Sequence, residues 1–338
     1  RVGGYGVVAD IEGAESGPCI ALRADLDALP IQDLKSCEYA STVPGVMHAC
    51  GHDGHTSTLL TIAKLYAANR HEWRGARRLI FQPAEELCPG GAAAMIRDGV
   101  LDGVDAIYGV HLWTPLPYGV VASRGGALMA APDEFTITVN GRGGHGGMPN
   151  QTVDAVVIGA SLVGALQTIV SRNVDPIHPA VVTVGSFQAG TTGNVIAEKA
   201  VLDGTVRTFN RDVQELIRGR MDSIIAHTAS MFGASIELDY REGYPTVVND
   251  VEEAARFDEV AAQLFGSENV RRSELIMAGE DFSYYLQHKK GCFMFVGAGN
   301  EACGATYAHH HPRFDLDERS MLISARLLIG MAEHRAAL

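Results

Sequence analysis

The chain is 338 residues long with 46% apolar content, enough to bury one large core or two moderate ones. Its formal charge of −13, without any run of Lys and Arg, argues against a nucleic-acid or anionic-membrane surface, since either needs a basic stripe. Six cysteines (Cys19, Cys37, Cys50, Cys88, Cys292 and Cys303) lack disulfide-framework spacing, which points to reduced thiols and a cytoplasmic location.

The chain starts at Arg1 without a Met or a charged-then-apolar leader and opens at once into a strand-like segment, Gly6 to Ile11. Native residues are therefore expected to precede it. Ile20 to Ala24 reads as a strand and Thr56 to Asn69 as a helix with Leu59, Ile62, Ala63 and Tyr66 on its apolar face. Arg78 to Phe81 is a buried strand, Ala92 to Arg97 a short helix and Ala106 to Val110 another strand. This βαβα order implies a largely parallel sheet with helices on both faces, and active sites of such sheets gather at the carboxyl ends of the strands.

The rhythm changes in the middle third. Glu134 to Val139 alternates as a strand, and Thr152 to Ser171 is a long helix. Its apolar run, Val153 to Val170, is interrupted by Asp154, Ser161 and Gln167, which favours a packed amphipathic helix over a membrane span. Ala180 to Phe187 and Lys199 to Phe209 are strands, Val213 to Met231 a helix and Ser235 to Tyr240 a last strand. The result is the β-α-β-β-α-β order of a ferredoxin-like α+β domain. The tail returns to α/β character, with helices over Glu252 to Phe265 and Leu316 to Glu333 and a strand over Cys292 to Val296. The expected architecture is an α/β domain over residues 1–131 and 244–338, interrupted by an inserted α+β domain over 132–243.

Polar residues cluster at the predicted strand ends. Arg23-Ala-Asp25-Leu-Asp27 follows the first strand of the sheet, His48-Ala-Cys50-Gly-His52-Asp53-Gly-His55 leads into the helix, and Gln82-Pro-Ala-Glu85-Glu86 follows the next strand. His111 follows the third strand, and His309-His310-His311-Pro312 lies near the C-terminus. Cys, His and Glu are the ligand types that zinc and its neighbours prefer. Cys50 and His52, two apart in a glycine-containing loop, can face one point; a thiolate and an imidazole can also serve as nucleophile and base. Adjacent carboxylates after a strand point to opposite sides, so one of Glu85 and Glu86 can bind metal while the other reaches a water as general base.

The segments RADLDALPI, HACGHDGHT, FQPAEE, GVH, GRGGHGGMP, GTTGNVI, GTVRTF, GEDFS and HHHPRFD occur in this order. In that order the chain resembles the metal-dependent aminoacylase/carboxypeptidase family, which includes hippurate hydrolase, indole-acetyl-amino-acid hydrolase and thermostable bacterial carboxypeptidases. The resemblance spans nearly the whole chain and implies a zinc-peptidase-like α/β fold. Members begin with a further segment before the first strand. The resemblance also implies a two-metal amidohydrolase acting on N-acyl-amino acids or short peptides, with a carboxypeptidase or dipeptidase proper as the alternative. Cys50, His52, Glu86, His111 and His310 would hold two divalent ions, zinc foremost, with manganese, cobalt and nickel as the other candidates. Glu85 would be the base, Asp25 would orient a ligand, and Arg23 would bind no metal although the wider superfamily has a ligating histidine there. His145 would donate to the oxyanion, Asn194 and Arg207 would bind the polar end of a small-molecule substrate, and a homodimer would form through the inserted domain. Gly279 to Ser283 would line the pocket or cap a helix start. Asn150 and Ala197 stand where relatives commonly carry histidine and proline, which touches the pocket edge and not a proposed ligand.

Two other readings share these residues. In one, Cys50 is the nucleophile of an amidase with His52 or His55 as base, which leaves Glu86, His111 and His310 without a purpose. In the other, the chain holds metal or ligand without catalysis, and Glu85 then has no function.

Overall fold

The computed structural model describes residues 1–337, which form two compact units. The first comprises residues 1–128, 247–275 and 280 onward. Seven strands make its sheet, in the order Val7–Glu12, Arg74–Gln82, Glu15–Asp25, Ala106–Pro117, Gly291–Gly299, Val121–Ser123, Val270–Arg272. The four from Arg74–Gln82 to Gly291–Gly299 run parallel, Val7–Glu12 pairs antiparallel with Arg74–Gln82, and Val121–Ser123 pairs antiparallel with Gly291–Gly299 but parallel with Val270–Arg272.

Successive residues of a strand face opposite sides of the sheet, and here both sides are covered. On one side Leu22, Leu79, Tyr108, Val110, Met294 and Val296 pack with Leu59, Ile62 and Tyr66 of the helix His52–Ala68 and with the helices Val251–Phe265 and Ser320–Ala336. The alternate residues Arg23 and Gly109 meet Phe282 on the other side. Strands buried on both faces read as near-continuous apolar runs, which is why the central ones stand out in the sequence.

The second unit comprises Met129–Thr246 with Ile276–Gly279. It has a four-stranded antiparallel sheet in the order Ser235–Arg241, Ala131–Asn140, Lys199–Thr208, Ala180–Ala189, with the helices Ala155–Arg172 and Arg211–Phe232. Ile158, Leu162, Leu166 and Ile169 of the first helix join Phe135, Ile137, Leu202, Ile217 and Met221 in one core. The unit reaches further than residues 132–243. The Ala130 amide bonds to the Ile276 and Ala278 carbonyls, drawing in a segment that sequence order places elsewhere.

Candidate metal centre

The polar segments meet at the carboxyl ends of the parallel strands of the first unit. Glu15–Asp25 ends on Asp25, and Arg74–Gln82 is followed at once by Glu85 and Glu86. Gly51, at φ 87°, turns the Cys50 loop into the helix that begins at His52. A side chain at that φ would be strained, so glycine sits there for a backbone reason. His52 and His55 are one helical turn apart and both buried. Ala84 and His310 are the two non-glycine residues with positive φ among the described residues, at 56° and 65°. Both adjoin or belong to the cluster, where backbone strain concentrates in functional sites.

Cys50 lies at the junction of two groups. Its Sγ stands with Glu86 and His310, and again with His111 and His309, the ligand atoms of each group lying within 4.8 Å of one another. His111 Nε2 is 3.5 Å from Cys50 Sγ, and His310 Nε2 is 3.2 Å from a Glu86 carboxylate oxygen. His52 groups with Glu85 and Glu86 on one side and with Asp25 and His55 on the other.

The donors fit divalent cations. His52 Nδ1 donates to the Asp27 carbonyl at 3.1 Å, while its Nε2 is buried without a hydrogen-bond partner. A Glu86 carboxylate oxygen is buried and equally unsatisfied, although His310 stands near it. Buried polar atoms left open in this way call for an explanation, and a bound ion supplies one. His111 Nδ1 donates to the Leu112 carbonyl at 2.8 Å, which leaves Nε2 with its lone pair, the form in which imidazole binds metal.

The electrostatics agree. Burial lowers the His52 imidazole, but Asp25 and Asp27 outweigh it and raise the group to about 9. The same negative potential favours any cation at Nε2. Burial, with Glu86 and Glu85 adding to it, pushes the Cys50 thiol well above its ordinary value. Burial likewise drives His111 well below its own. A buried thiol that resists ionisation is a poor free nucleophile. That counts against the cysteine-amidase reading, whereas a cation would stabilise the thiolate as ligand. Burial, then Glu280 and Asp281, raise Glu85 well above the usual carboxylate range, as suits a group that exchanges a proton in the cycle.

Arg23 commits its guanidinium to buried carboxylates. Its guanidinium reaches Asp25 at 2.7 Å, Asp281 at 2.8 Å and Glu280 at 3.0 Å, all with side chains no more than 2% exposed. Asp25 in turn accepts from His55 Nδ1 at 2.6 Å. Burial opposes its charge, yet His52, His55 and Arg23 hold Asp25 well below the usual range. Glu280 also accepts from the Phe282 amide at 2.9 Å, so it braces the turn that precedes the short helix Ser283–Leu286 while joining the buried network.

The other expected residues belong to the second unit. His145, on a two-residue strand paired with Val195–Ile196, is exposed. Its Nδ1 accepts from the Gly147 amide at 2.9 Å, so Nε2 carries the proton and is a donor. The same pairing brings Asn194 beside it, the Gly146 amide bonding the Asn194 carbonyl at 2.8 Å. Arg207 is held by the Met277 and Val206 carbonyls, at 3.2 and 3.1 Å, rather than by a carboxylate. Burial lowers its pKa, marking a cation poor in compensating charge.

Two local expectations are corrected. His111 does not follow its strand but lies inside it, because pairing with Gly291–Gly299 continues past Val110 to Pro117. The first helix begins at His52, not Thr56, which turns His52 and His55 from loop residues into helix residues. Asp27, which accepts the Glu86 amide at 3.0 Å and sits 3.4 Å from His52, has no role assigned from the sequence, and His55 appears there only as an alternative base for Cys50. The spacing of His55, three residues after His52, was the available signal. His309 donates through Nε2 to the Leu112 carbonyl at 3.0 Å and stacks on Trp113, so that nitrogen is spoken for.

Comparison with known proteins gives the same picture. The sequence pattern of peptidase family M20/M25/M40 matches residues 21–334. YhaA of Bacillus subtilis, an amidohydrolase by name, is 52% identical over 98% of this chain and 84% of its own length. The N-acyl-L-amino acid amidohydrolase of Geobacillus stearothermophilus is 49% identical over 72% of this chain and 66% of its own. The crystal structure of Bacillus subtilis YXEP, described as a dinuclear metal binding peptidase from the M20 family, superposes with a TM-score of 0.83 at 35% identity, covering 98% of this chain and 85% of that one.

Proposed function

The chain belongs to peptidase family M20/M25/M40 and is a metal-dependent hydrolase, and from that premise we propose that it cleaves the amide bond of N-acyl-amino acids at a centre of two zinc ions. The observation that carries this reading is the position of Cys50 in two ligand groups at once, with Glu85 beside both Glu86 and His52. One donor within reach of two sets of ligands would serve a pair of adjacent cations.

When bound, the ions polarise the scissile carbonyl and make water acidic enough to attack it. Cys50, Glu86 and His310 would hold one, and Cys50, His111 and His52 the other. Thiolate and imidazole donors favour zinc over magnesium; manganese, cobalt and nickel are the other candidates. Glu85 takes a proton from the attacking water and delivers it to the leaving amine, so one water yields one carboxylic acid and one amine. Asp25 steadies the imidazoles of His52 and His55. His145 donates its Nε2 proton to the developing oxyanion. Arg207, with Asn194, receives the substrate carboxylate, to which its planar fork is matched.

The test is a metal-supplemented screen of N-acetyl, N-benzoyl and indole-acyl amino acids against dipeptides and against the same substrates with the carboxylate amidated. Hydrolysis of an acyl-amino acid, lost on amidation, is the expected result. Cleavage of dipeptides alone would replace it with a dipeptidase, and indifference to amidation would remove Arg207 from the account. A homodimer is part of the proposal. Val156 and Val157 on the inserted helix and Phe187 on an edge strand of its sheet are 41%, 51% and 40% exposed. A fully active monomer by mass would rule out a required dimer.

A further inference from the structure

The roles above leave His55 unexplained. It is buried, 5% exposed, and makes two bonds whose directions are settled by its partners. The Leu112 amide can only donate, and it does so to His55 Nε2 at 2.9 Å. That nitrogen is therefore unprotonated, and the ring proton lies on Nδ1, facing Asp25 at 2.6 Å. The Leu112 carbonyl receives both His111 Nδ1, at 2.8 Å, and His309 Nε2, at 3.0 Å.

We infer that His55 is a positioning residue: by clamping the Leu112 peptide it aims Nε2 of His111 at Cys50. The inference rests on the two-metal reading above. Pairing of the strand Ala106–Pro117 with Glu15–Asp25 stops at Gly109, so the strand continues beyond that point without this neighbour. His55 supplies the acceptor that the Leu112 N–H then needs. That N–H belongs to the rigid peptide plane joining His111 to Leu112, so fixing it fixes the backbone of the ligand itself. Gly54 allows the approach, because a Cβ there would lie 2.7 Å from Leu112 Cδ1. An Asp25 carboxylate, an imidazole and one peptide thus set the direction of a second imidazole, two bonds away from the ion it would hold.

The experiment compares wild type, His55→Asn and His55→Gln by cobalt(II) titration, read by thiolate-to-cobalt absorption and by chelator competition, with circular dichroism to verify folding. Asn places its amide where Nδ1 stands and keeps Asp25; Gln reaches the position of Nε2 and keeps Leu112. Wild type and Gln are expected to take two equivalents with affinities within about threefold, while Asn loses about 10–100-fold at one equivalent, the usual effect of removing an outer support. Asn binding as tightly as Gln would overturn the inference, and so would a loss in Gln as large as that in Asn. A wild type that takes fewer than two ions would overturn the two-metal reading and this inference with it. Should Asn not fold, His55→Met, which fills the space without an acceptor, takes its place against Gln under the same criteria.

Discussion

Nε2 of His111 stands 3.5 Å from Sγ of Cys50, and the other nitrogen of the same ring is tied to the Leu112 carbonyl. The two side chains come from a helix-leading loop and the interior of a strand, 61 residues apart, and the imidazole lone pair faces the sulfur. Because the same sulfur also faces Glu86 and His310, its loss bears on both ions.

Cys50→Ser is therefore expected to weaken both ions together. The loss at each should exceed the roughly 10–100-fold that an outer contact commands, since a serine hydroxyl is a far poorer bridging donor than a thiolate. Metal content after dialysis against a weak chelator reads this directly. Loss of one ion with the other intact would show that Cys50 serves a single site.

Glu85→Gln should keep both ions and the fold while lowering kcat by about 10²–10⁴-fold, the range for removing a general acid–base. Metal analysis and steady-state kinetics on the same preparation check it. Unchanged turnover would mean that the chain holds metal without using Glu85 for catalysis.

Arg23→Met should destabilise the first unit by about 3–5 kcal/mol in urea unfolding, the usual effect of breaking a buried ion pair from one side. Asp25, Glu280 and Asp281 would be left buried without their shared cation. Arg23→Lys should rescue only part of this, because one ammonium cannot reach the three acceptors that the guanidinium fork spans. Unfolding of Arg23→Met at the wild-type urea concentration would show that the cluster compensates internally.

Much of this was legible in the chain and some was not. The buried strands around Leu22, Leu79 and Tyr108 announce themselves as apolar runs, and the ferredoxin-like order of the insert follows from clear alternation and two long helical periods. The ligand set was legible through the resemblance carried by the segments around Cys50, Glu86, His111 and His310, while the residues alone left metal ligand and nucleophile both open for Cys50. Arg23 could not be placed, since its partners Glu280 and Asp281 lie more than 250 residues away and only the folded sheet joins them. His55 reads as one more histidine in a loop until the helix is seen to begin at His52 and the Leu112 amide is found to need an acceptor. The Ile276–Gly279 segment has no local signal that ties it to the inserted unit.

Acid should loosen the C-terminal helix's approach through Asp317. Its carboxylate is held well below the usual range, mainly by Arg319 and also by Asn300, whose Nδ2 lies 2.7 Å away. A depressed carboxylate contributes stability that is present above its unfolded value, near 3.8, and that fades as pH falls below it toward the lower folded value. Asp317→Asn should therefore be less stable than wild type at neutral pH, with the gap narrowing as the pH drops below about 4. Thermal melts of the two proteins between neutral and acid pH check it; a gap independent of pH would show that the charge of Asp317 is not what matters.

Two ions held around Cys50 are proposed to carry the hydrolysis. The most direct measurement is to strip the protein with a chelator and titrate zinc, manganese or cobalt back while following cleavage of an N-acyl-amino acid. The stripped protein is expected to show no cleavage, with recovery complete only as the second equivalent binds. Full turnover by the metal-free protein would contradict the proposal.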